Sequence, residues 1–198
     1  MIFDEQEEWA NTLSHALGLL FGILFLPSLD INFATILYSS AFLFLFFSST
    51  IYHGVSNYRW KSKLQKMDHI SIYCMIAGSY TPFIFQCLEE RQAWIFFIIM
   101  WFLAFCGTLF KLVYTGKFEK WSLVFYLSMG WMLVFIIKPF LQSFDTTIIA
   151  WVVIGGFSYT IGVYFYANDH KRYRHFIWHL FVLGGALCHF YAISNIIK

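Results

Sequence analysis

The sequence consists almost entirely of apolar runs of roughly 20 residues, separated by short polar connections. A run of this length is sufficient for an α-helix to cross the hydrocarbon core of a bilayer. With 60% hydrophobic and 12% charged residues, the chain also has too few charges for a soluble domain of 198 residues. The sequence therefore predicts an all-α integral membrane protein.

Hydropathy divides the chain into seven predicted spans. These spans cover residues 12–29, 33–54, 67–88, 93–113, 121–138, 148–167 and 175–197. They leave no room for a soluble domain, so we predict a single seven-helix transmembrane domain over residues 1–198, preceded by a short acidic segment, residues 1–11. Because the connections are short, we expect consecutive helices to be antiparallel neighbours.

Lysine and arginine are distributed unevenly among the connections. The connections after spans two, four and six carry Arg59, Lys61, Lys63, Lys66, Lys111, Lys117, Lys120, Lys171, Arg172 and Arg174. The opposite side carries Arg91, Lys138 and Lys198. Positively charged connections stay in the cytoplasm, so the N-terminus is predicted to be cytoplasmic and the C-terminus extracytoplasmic.

Ionisable residues occur at the cytoplasmic ends of several spans. His53 ends span two, Asp68 begins span three, and His175 and His179 begin span seven, while His15 lies at the same level in span one. Such side chains are costly in a membrane and normally face the interior of a bundle. Residues so far apart in sequence have no local reason to share one depth, so their coincidence predicts a common site.

The spacing of the histidines favours a metal site. His175 and His179 are four residues apart, so both imidazoles lie on one helix face and can bind a single ion. Together with His53 they would supply three neutral nitrogen ligands and leave one position open for water, as in catalytic zinc sites. Zinc lowers the pKa of bound water to about 7. Asp68 would orient that water or take its proton, and Ser49 would orient the ligand His53 or bind the developing oxyanion.

A cluster without metal is the alternative interpretation, in which the histidines are neutral, interfacial and hydrogen-bonded to one another. The HExxH motif is absent, since Phe176 stands where its glutamate would be. Glu8, Asn11 and His15 share one helix face at the start of span one. Helix capping and interfacial polarity explain these three residues, and an accessory role at the metal site is the alternative.

Two further histidines are assigned to other environments. His69 points about 100° away from Asp68 around the helix and is predicted to be interfacial. His189 lies roughly 15 Å deeper than His179 and is predicted to be a hydrogen-bonded interior residue. We interpret the glycines in the spans as places where helices pack closely.

The ordered set of motifs resembles a known family. Ser49-x-x-x-His53, Asp68 and His175-x-x-x-His179 resemble the signature of the hemolysin III family and the progestin and adipoQ receptors, a group that extends to alkaline ceramidases. Glu8-x-x-Asn11-x-x-x-His15-x-x-Gly18 and His189-Phe-Tyr-Ala-Ile-Ser-Asn195 resemble the bacterial hemolysin III branch. The resemblance implies a seven-helix bundle in which His53, His175 and His179 hold Zn²⁺, with Asp68 as the partner of the zinc-bound water and Ser49 as a residue that supports the ligands or contacts substrate.

Two functions are considered, the first motivated by the three histidines and Asp68, the second by the seven apolar spans and the absence of a ready-made general base. The first is a zinc-dependent hydrolase in the inner (plasma) membrane of a bacterium that cleaves an amide or ester in a membrane lipid reached from the inner leaflet. The second is a non-enzymatic protein with a structural zinc that adjusts membrane properties or permeabilises membranes. A membrane lipid is the expected substrate or ligand, and no nucleic-acid partner is expected.

Overall fold

The computed structural model of this protein describes residues 5–196. Residues 1–4 and 197–198 lie outside the described part, and with them the beginning of the predicted acidic segment, the predicted last residue of span seven and Lys198. The α-helices of the described chain are α1 (Glu5–Phe25), α2 (Phe33–Gly54), α3 (Tyr58–Cys87), α4 (Glu90–Tyr114), α5 (Glu119–Gly130), α6 (Ile137–Ser143), α7 (Thr146–Tyr166) and α8 (Arg174–Ile196). Residues 5–196 contain no β-strand.

Seven elements are long and apolar enough to cross a membrane. They are α1 with the short 3₁₀ turn Leu26–Ser28, the helices α2, α3, α4, α7 and α8, and a fifth span, Glu119–Ser143, that contains both α5 and α6. The chain is therefore a multi-pass integral membrane protein with an all-α, seven-span architecture, as predicted. The side on which each terminus lies and the single-domain organisation stay predictions.

Two predicted helix starts are wrong. Helix α1 begins at Glu5 rather than at residue 12, and α3 begins at Tyr58 rather than at residue 67. Residues 5–11 are thus the first turns of a span and not a separate segment, and Lys61 lies inside α3 rather than in a loop. Hydropathy locates the apolar part of a helix, whereas these two helices continue into the polar interface.

Local hydrogen bonds explain where several helices begin. The side chain of Asn32 accepts a hydrogen bond from the backbone N–H of Thr35, and the Thr35 hydroxyl accepts one from the backbone N–H of Asn32, which forms a capping box at α2. Asn57 caps α3 through the N–H of Arg59, and Asp145 caps α7 in the same way. Each of these caps starts a helix a few residues after the preceding helix ends. Because the connections are short, the consecutive helices form antiparallel pairs.

The fifth span is interrupted, although one continuous helix was predicted over residues 121–138. A 3₁₀ segment, Trp131–Ile136, separates α5 from α6. The hydroxyl of Tyr80 on α3 donates a hydrogen bond to the carbonyl of Gly130 at 2.6 Å and accepts one from the N–H of Leu133 at 2.7 Å. These bonds satisfy backbone groups that a broken helix leaves open inside a membrane.

The packing of α1 and α7 positions the functional site. Helix α1 packs against both α2 and α8, α3 contacts both of these helices too, and α7 packs along α8. A Cβ atom on Gly18 of α1 would lie 2.3 Å from the Phe46 ring, and one on Gly162 of α7 would lie 2.8 Å from the Trp178 ring. Close packing at these glycines, as predicted, brings the last turn of α2 and the first turns of α8 together at one end of the bundle. We call this end the basic end because Lys63, Lys66 and Arg172 lie there.

Candidate metal centre

The three predicted ligands lie at the basic end of the bundle, on two helices. His53 is the penultimate residue of α2, and His175 and His179 lie in the first two turns of α8. His53 and His179 are buried and His175 is half-buried. Their side chains meet in the interior because α1 and α3 pack against both helices.

The structure brings the three imidazoles together. One ring nitrogen from each of His53, His175 and His179 lies within 4.8 Å of the others, and their ring centroids are 4.7 to 5.2 Å apart. Nitrogen atoms that share one zinc ion lie at most about 4.2 Å apart, since each Zn–N bond is about 2.1 Å long. Small rotations of the rings would therefore let all three bind one ion.

The unsatisfied nitrogens of this cluster fit a metal. The Nε2 atoms of His53 and His175 are buried and have no hydrogen-bond partner among residues 5–196. A buried polar atom without a partner is costly, and a bound ion would remove that cost for both rings. Three neutral imidazoles are a donor set that zinc favours.

Helix α1 contacts the opposite edges of two of the candidate ligands. Nδ1 of His53 lies 3.3 Å from a carboxylate oxygen of Glu8. The same Nδ1 atom lies 3.5 Å from the side-chain amide nitrogen of Asn11. Nδ1 of His179 lies 3.3 Å from the hydroxyl of Ser14 and 3.4 Å from the carbonyl of Asn11. Histidines that bind a metal usually donate their other ring N–H to a carboxylate, carbonyl or similar group. The Glu8 carboxylate, the Ser14 hydroxyl and the Asn11 backbone carbonyl fit this pattern, whereas the Asn11 amide nitrogen is itself a donor.

A small cavity adjoins the cluster. Its volume is about 20 Å³, which is sufficient for one water molecule. The polar residues that line it are His15, Ser49, Asp68, His69, His175 and His179, and the apolar ones include Leu45, Ile72, Trp178 and Val182. The cavity is thus lined by two of the three candidate metal ligands, His175 and His179, and by both residues predicted to act on substrate, Ser49 and Asp68.

Asp68 and Ser49 are both buried beside this cavity. Asp68 is 8% exposed and lies in the third turn of α3, whereas the sequence placed it at the start of a span. The hydroxyl of Ser49 has no hydrogen-bond partner among the described residues. The Asp68 carboxylate can accept a hydrogen bond from a molecule in the cavity, and the Ser49 hydroxyl can donate one to it.

Two other histidines line the cavity. His15 is 3% exposed, neither of its ring nitrogens has a partner in the described chain, and its ring centroid lies 3.9 Å from that of His179. His69 is buried, so its predicted interfacial position is wrong. Asp68 and His69 are both buried and both line the cavity, although most residues in the first two turns of α3 are exposed.

Sequence reasoning missed two residues of this region. Ser14 was not singled out, although its spacing of three from Asn11 places it on the polar face of α1. Lys61 was counted as a loop cation, but it is 7% exposed, and its ammonium group binds the carboxylate of Glu8. No pattern within α3 distinguishes Lys61 from the neighbouring lysines, so this pairing became visible only in the folded structure.

Comparisons with known proteins agree on one family. The model of the family described as "Haemolysin-III related" matches residues 3–190. The Hemolysin-3 homolog of Bacillus subtilis is 32% identical over 97% of this chain and 95% of its own length, and Hemolysin-3 of Bacillus cereus is 31% identical over 95% and 90%. The human Monocyte to macrophage differentiation factor is 32% identical over 79% of this chain and 67% of its own length. No solved structure matches.

Proposed function

The chain belongs to the haemolysin-III related family, and on that premise we propose that it is a zinc-dependent hydrolase that cleaves an amide or ester bond in a membrane lipid. The observation that carries this proposal is the set of three converging imidazoles beside a water-sized cavity that also holds a carboxylate and an unpaired hydroxyl. Structural zinc sites normally have four protein ligands, whereas the donor group found within residues 5–196 has three. An open fourth position is typical of catalytic zinc.

Each residue of the site has a chemical role in this proposal. His53, His175 and His179 would hold the zinc ion. When bound, zinc lowers the pKa of a water molecule to about 7 and polarises a carbonyl oxygen. The Asp68 carboxylate would take a proton from the water in the cavity and return it to the leaving group. The Ser49 hydroxyl would donate a hydrogen bond to the substrate oxygen on which negative charge develops.

The surroundings of the cavity support a lipid substrate. Besides its polar residues, the cavity has apolar surface from Leu45, Ile72 and Val182, in the interior of a membrane-spanning bundle. An amide or ester near a lipid head group joins a polar part to an acyl chain, so it matches both surfaces. If the basic end faces the cytoplasm, as the charge distribution predicts, the substrate would come from the inner leaflet of the bacterial plasma membrane.

A second candidate function is non-enzymatic. The relative named Hemolysin-3 favours it, because that name records lysis of red cells. The cavity, at about 20 Å³, is also large enough for one water molecule but not for a lipid. A lipid substrate could enter only if neighbouring helices moved apart. In this case zinc would be structural, and the protein would alter or permeabilise a membrane without cleaving lipid.

Lipid hydrolysis by the Asp68→Asn variant distinguishes the two functions. Purified wild type and variant would be incubated with a panel of ester and amide lipids, and released fatty acid would be measured by mass spectrometry. We expect the variant to keep the zinc content of wild type and to lose about 10²- to 10⁴-fold in rate, because a positioned general base contributes that much. Asp169→Asn, which removes an exposed carboxylate between α7 and α8, should change neither quantity.

Two outcomes would contradict the hydrolase. One is a zinc-loaded wild type that releases no fatty acid from any lipid in the panel. The other is an Asp68→Asn variant that hydrolyses lipid as fast as wild type. The first outcome would favour the non-enzymatic function with a structural zinc.

A further inference from the structure

One carboxylate at the basic end joins three helices. An oxygen of Glu8 on α1 lies 3.3 Å from Nδ1 of His53 on α2, and the same oxygen binds the ammonium group of Lys61 on α3. That ammonium group also donates a hydrogen bond to the backbone carbonyl of His53 at 3.5 Å. The side chains of Glu8, Lys61 and His53 are 17%, 9% and 2% exposed, so the three groups meet largely out of solvent.

The carboxylate of Glu8 favours one tautomer of His53. A carboxylate oxygen accepts hydrogen bonds only, so the proton of a neutral His53 ring belongs on Nδ1, where it is donated to Glu8. The side-chain amide of Asn11, 3.5 Å from the same Nδ1, is compatible with this tautomer when its oxygen, which has no partner in the described chain, faces the ring. The lone pair is then on Nε2, the buried atom that has no partner in the described chain. A metal ion binds that lone pair. Glu8 therefore holds the ring in its metal-binding form before any ion arrives.

Lys61 completes the arrangement. A carboxylate this far from solvent needs a compensating charge, and the ammonium group of Lys61 supplies it on the same oxygen that faces His53. Because Lys61 also holds the carbonyl of His53, it fixes the distance between α3 and the last turn of α2. The position of Glu8 therefore depends on Lys61.

His179 provides an internal comparison. Its Nδ1 atom faces a hydroxyl and a backbone carbonyl, both neutral, at 3.3 and 3.4 Å. Hydrogen bonds that involve an ionised group are roughly twice as strong as neutral ones. The contact that supports His53 should therefore contribute more to metal binding than the contact that supports His179.

We propose that Glu8 is a positioning residue for the metal ligand His53, and that Lys61 positions Glu8, so that this ion pair sets the affinity of the site for zinc. This inference rests on the metal site of the proposed function and not on lipid hydrolysis. From the sequence alone, helix capping is the simpler interpretation of the polar start of α1. In this inference, the same residues support a metal ligand.

The test is a zinc-affinity measurement on purified full-length protein, by competition with a chelator of known affinity. Glu8→Ala should bind zinc about 10- to 100-fold more weakly, the usual cost of losing a group that orients a metal ligand. Glu8→Gln, which keeps the shape but loses the charge, should fall between Glu8→Ala and wild type. Lys61→Met should weaken binding in the same direction by a smaller factor. The matched controls Glu5→Ala and Lys63→Met, which remove exposed charges from the same helices, should bind as wild type does.

Further measurements separate positioning from a purely structural role. The thermal stability of the metal-free variants reports on the ion pair as a helix contact, and the absorption spectrum of the cobalt-substituted protein reports on ligand geometry. We expect the Glu8→Gln spectrum to change even where metal-free stability does not. Zinc affinity of Glu8→Ala and Glu8→Gln within twofold of wild type would overturn the inference and leave the metal site intact. A well-folded wild type that binds no zinc would overturn both.

Discussion

Two of the three histidines of helix α8, His179 and His189, lie in different surroundings. Near its start, His179 is in ring contact with three other imidazoles, one of them 3.9 Å away between centroids. Further along, His189 packs against the rings of Phe83 and Tyr159, and its Nε2–H donates to the carbonyl of Val152 at 3.3 Å. The second arrangement confirms the predicted hydrogen-bonded interior residue.

The difference between the two positions shows what marks a candidate metal site. Nδ1 of His189 is buried without a partner in the described chain, as is Nε2 of His53 in the cluster at the basic end. A buried nitrogen without a partner therefore occurs in both places. Within residues 5–196, histidine nitrogens from different helices converge on one point only at the basic end. Convergence of donors from different helices, rather than burial of any one of them, favours a metal.

Removing each histidine is the strongest test of this comparison. His179→Ala should abolish stoichiometric zinc binding, because two imidazoles alone make a weak site. His189→Ala should retain the zinc content of wild type, since its ring lies roughly 15 Å along α8 from His179. Elemental analysis of the purified proteins measures both. Equal zinc content in wild type and His179→Ala would show that the ion lies elsewhere or is absent.

The glycines of α7 provide a second test with a smaller effect. A Cβ atom on Gly162 would lie 2.8 Å from Trp178, and one on Gly155 would lie 2.5 Å from the His189 ring. Each alanine variant should lower the free energy of unfolding by about 1 to 3 kcal/mol through overpacking. Only Gly162→Ala should also weaken zinc binding, because it displaces the residue preceding His179.

Gly156→Ala is the control for this pair, since a Cβ atom there would meet nothing within 4 Å. Thermal unfolding and zinc competition should give wild-type values for it. If Gly155→Ala weakened zinc binding as much as Gly162→Ala does, the surroundings of His189 and His179 would be coupled. His189 would then no longer be independent of the metal site.

The smallest expected effect concerns the hydrogen bond of His189. His189→Phe keeps an aromatic ring but loses the bond to Val152, so stability should fall by about 0.5 to 1.5 kcal/mol. Zinc content should not change. His170→Phe, in the exposed connection between α7 and α8, should alter neither stability nor zinc. A loss of zinc in His189→Phe would show that the interior histidine supports the metal site after all.

Much of this architecture could be predicted from the sequence because two physical constraints act locally. Bilayer thickness fixes the length of an apolar run, so the seven spans could be counted, and helix periodicity places His175 and His179 on one face. Shared depth at the ends of spans then associated His53 with them. These inferences need no knowledge of which helices touch.

The remainder depends on contacts between helices and could not be derived from any one span. The pairing of Lys61 with Glu8 depends on how closely the first turns of α1 and α3 approach each other. The position of His69 beside the cavity depends on the rotation of α3 about its axis. The starts of α1 and α3 were also misplaced, because hydropathy rises only several residues after each helix begins. Sequence patterns thus located the candidate metal ligands better than the residues that contact them.

The bond between Tyr80 and the broken fifth span has a consequence for how such bundles diversify. The shape of residues 119–143 depends on a hydroxyl encoded about 50 residues earlier, which donates to Gly130 and accepts from Leu133. The spans are therefore not interchangeable modules. A chimera that received its fifth span from a relative, without the matching third span, would have the sequence of that segment but not the hydrogen bonds that stabilise its 3₁₀ interruption.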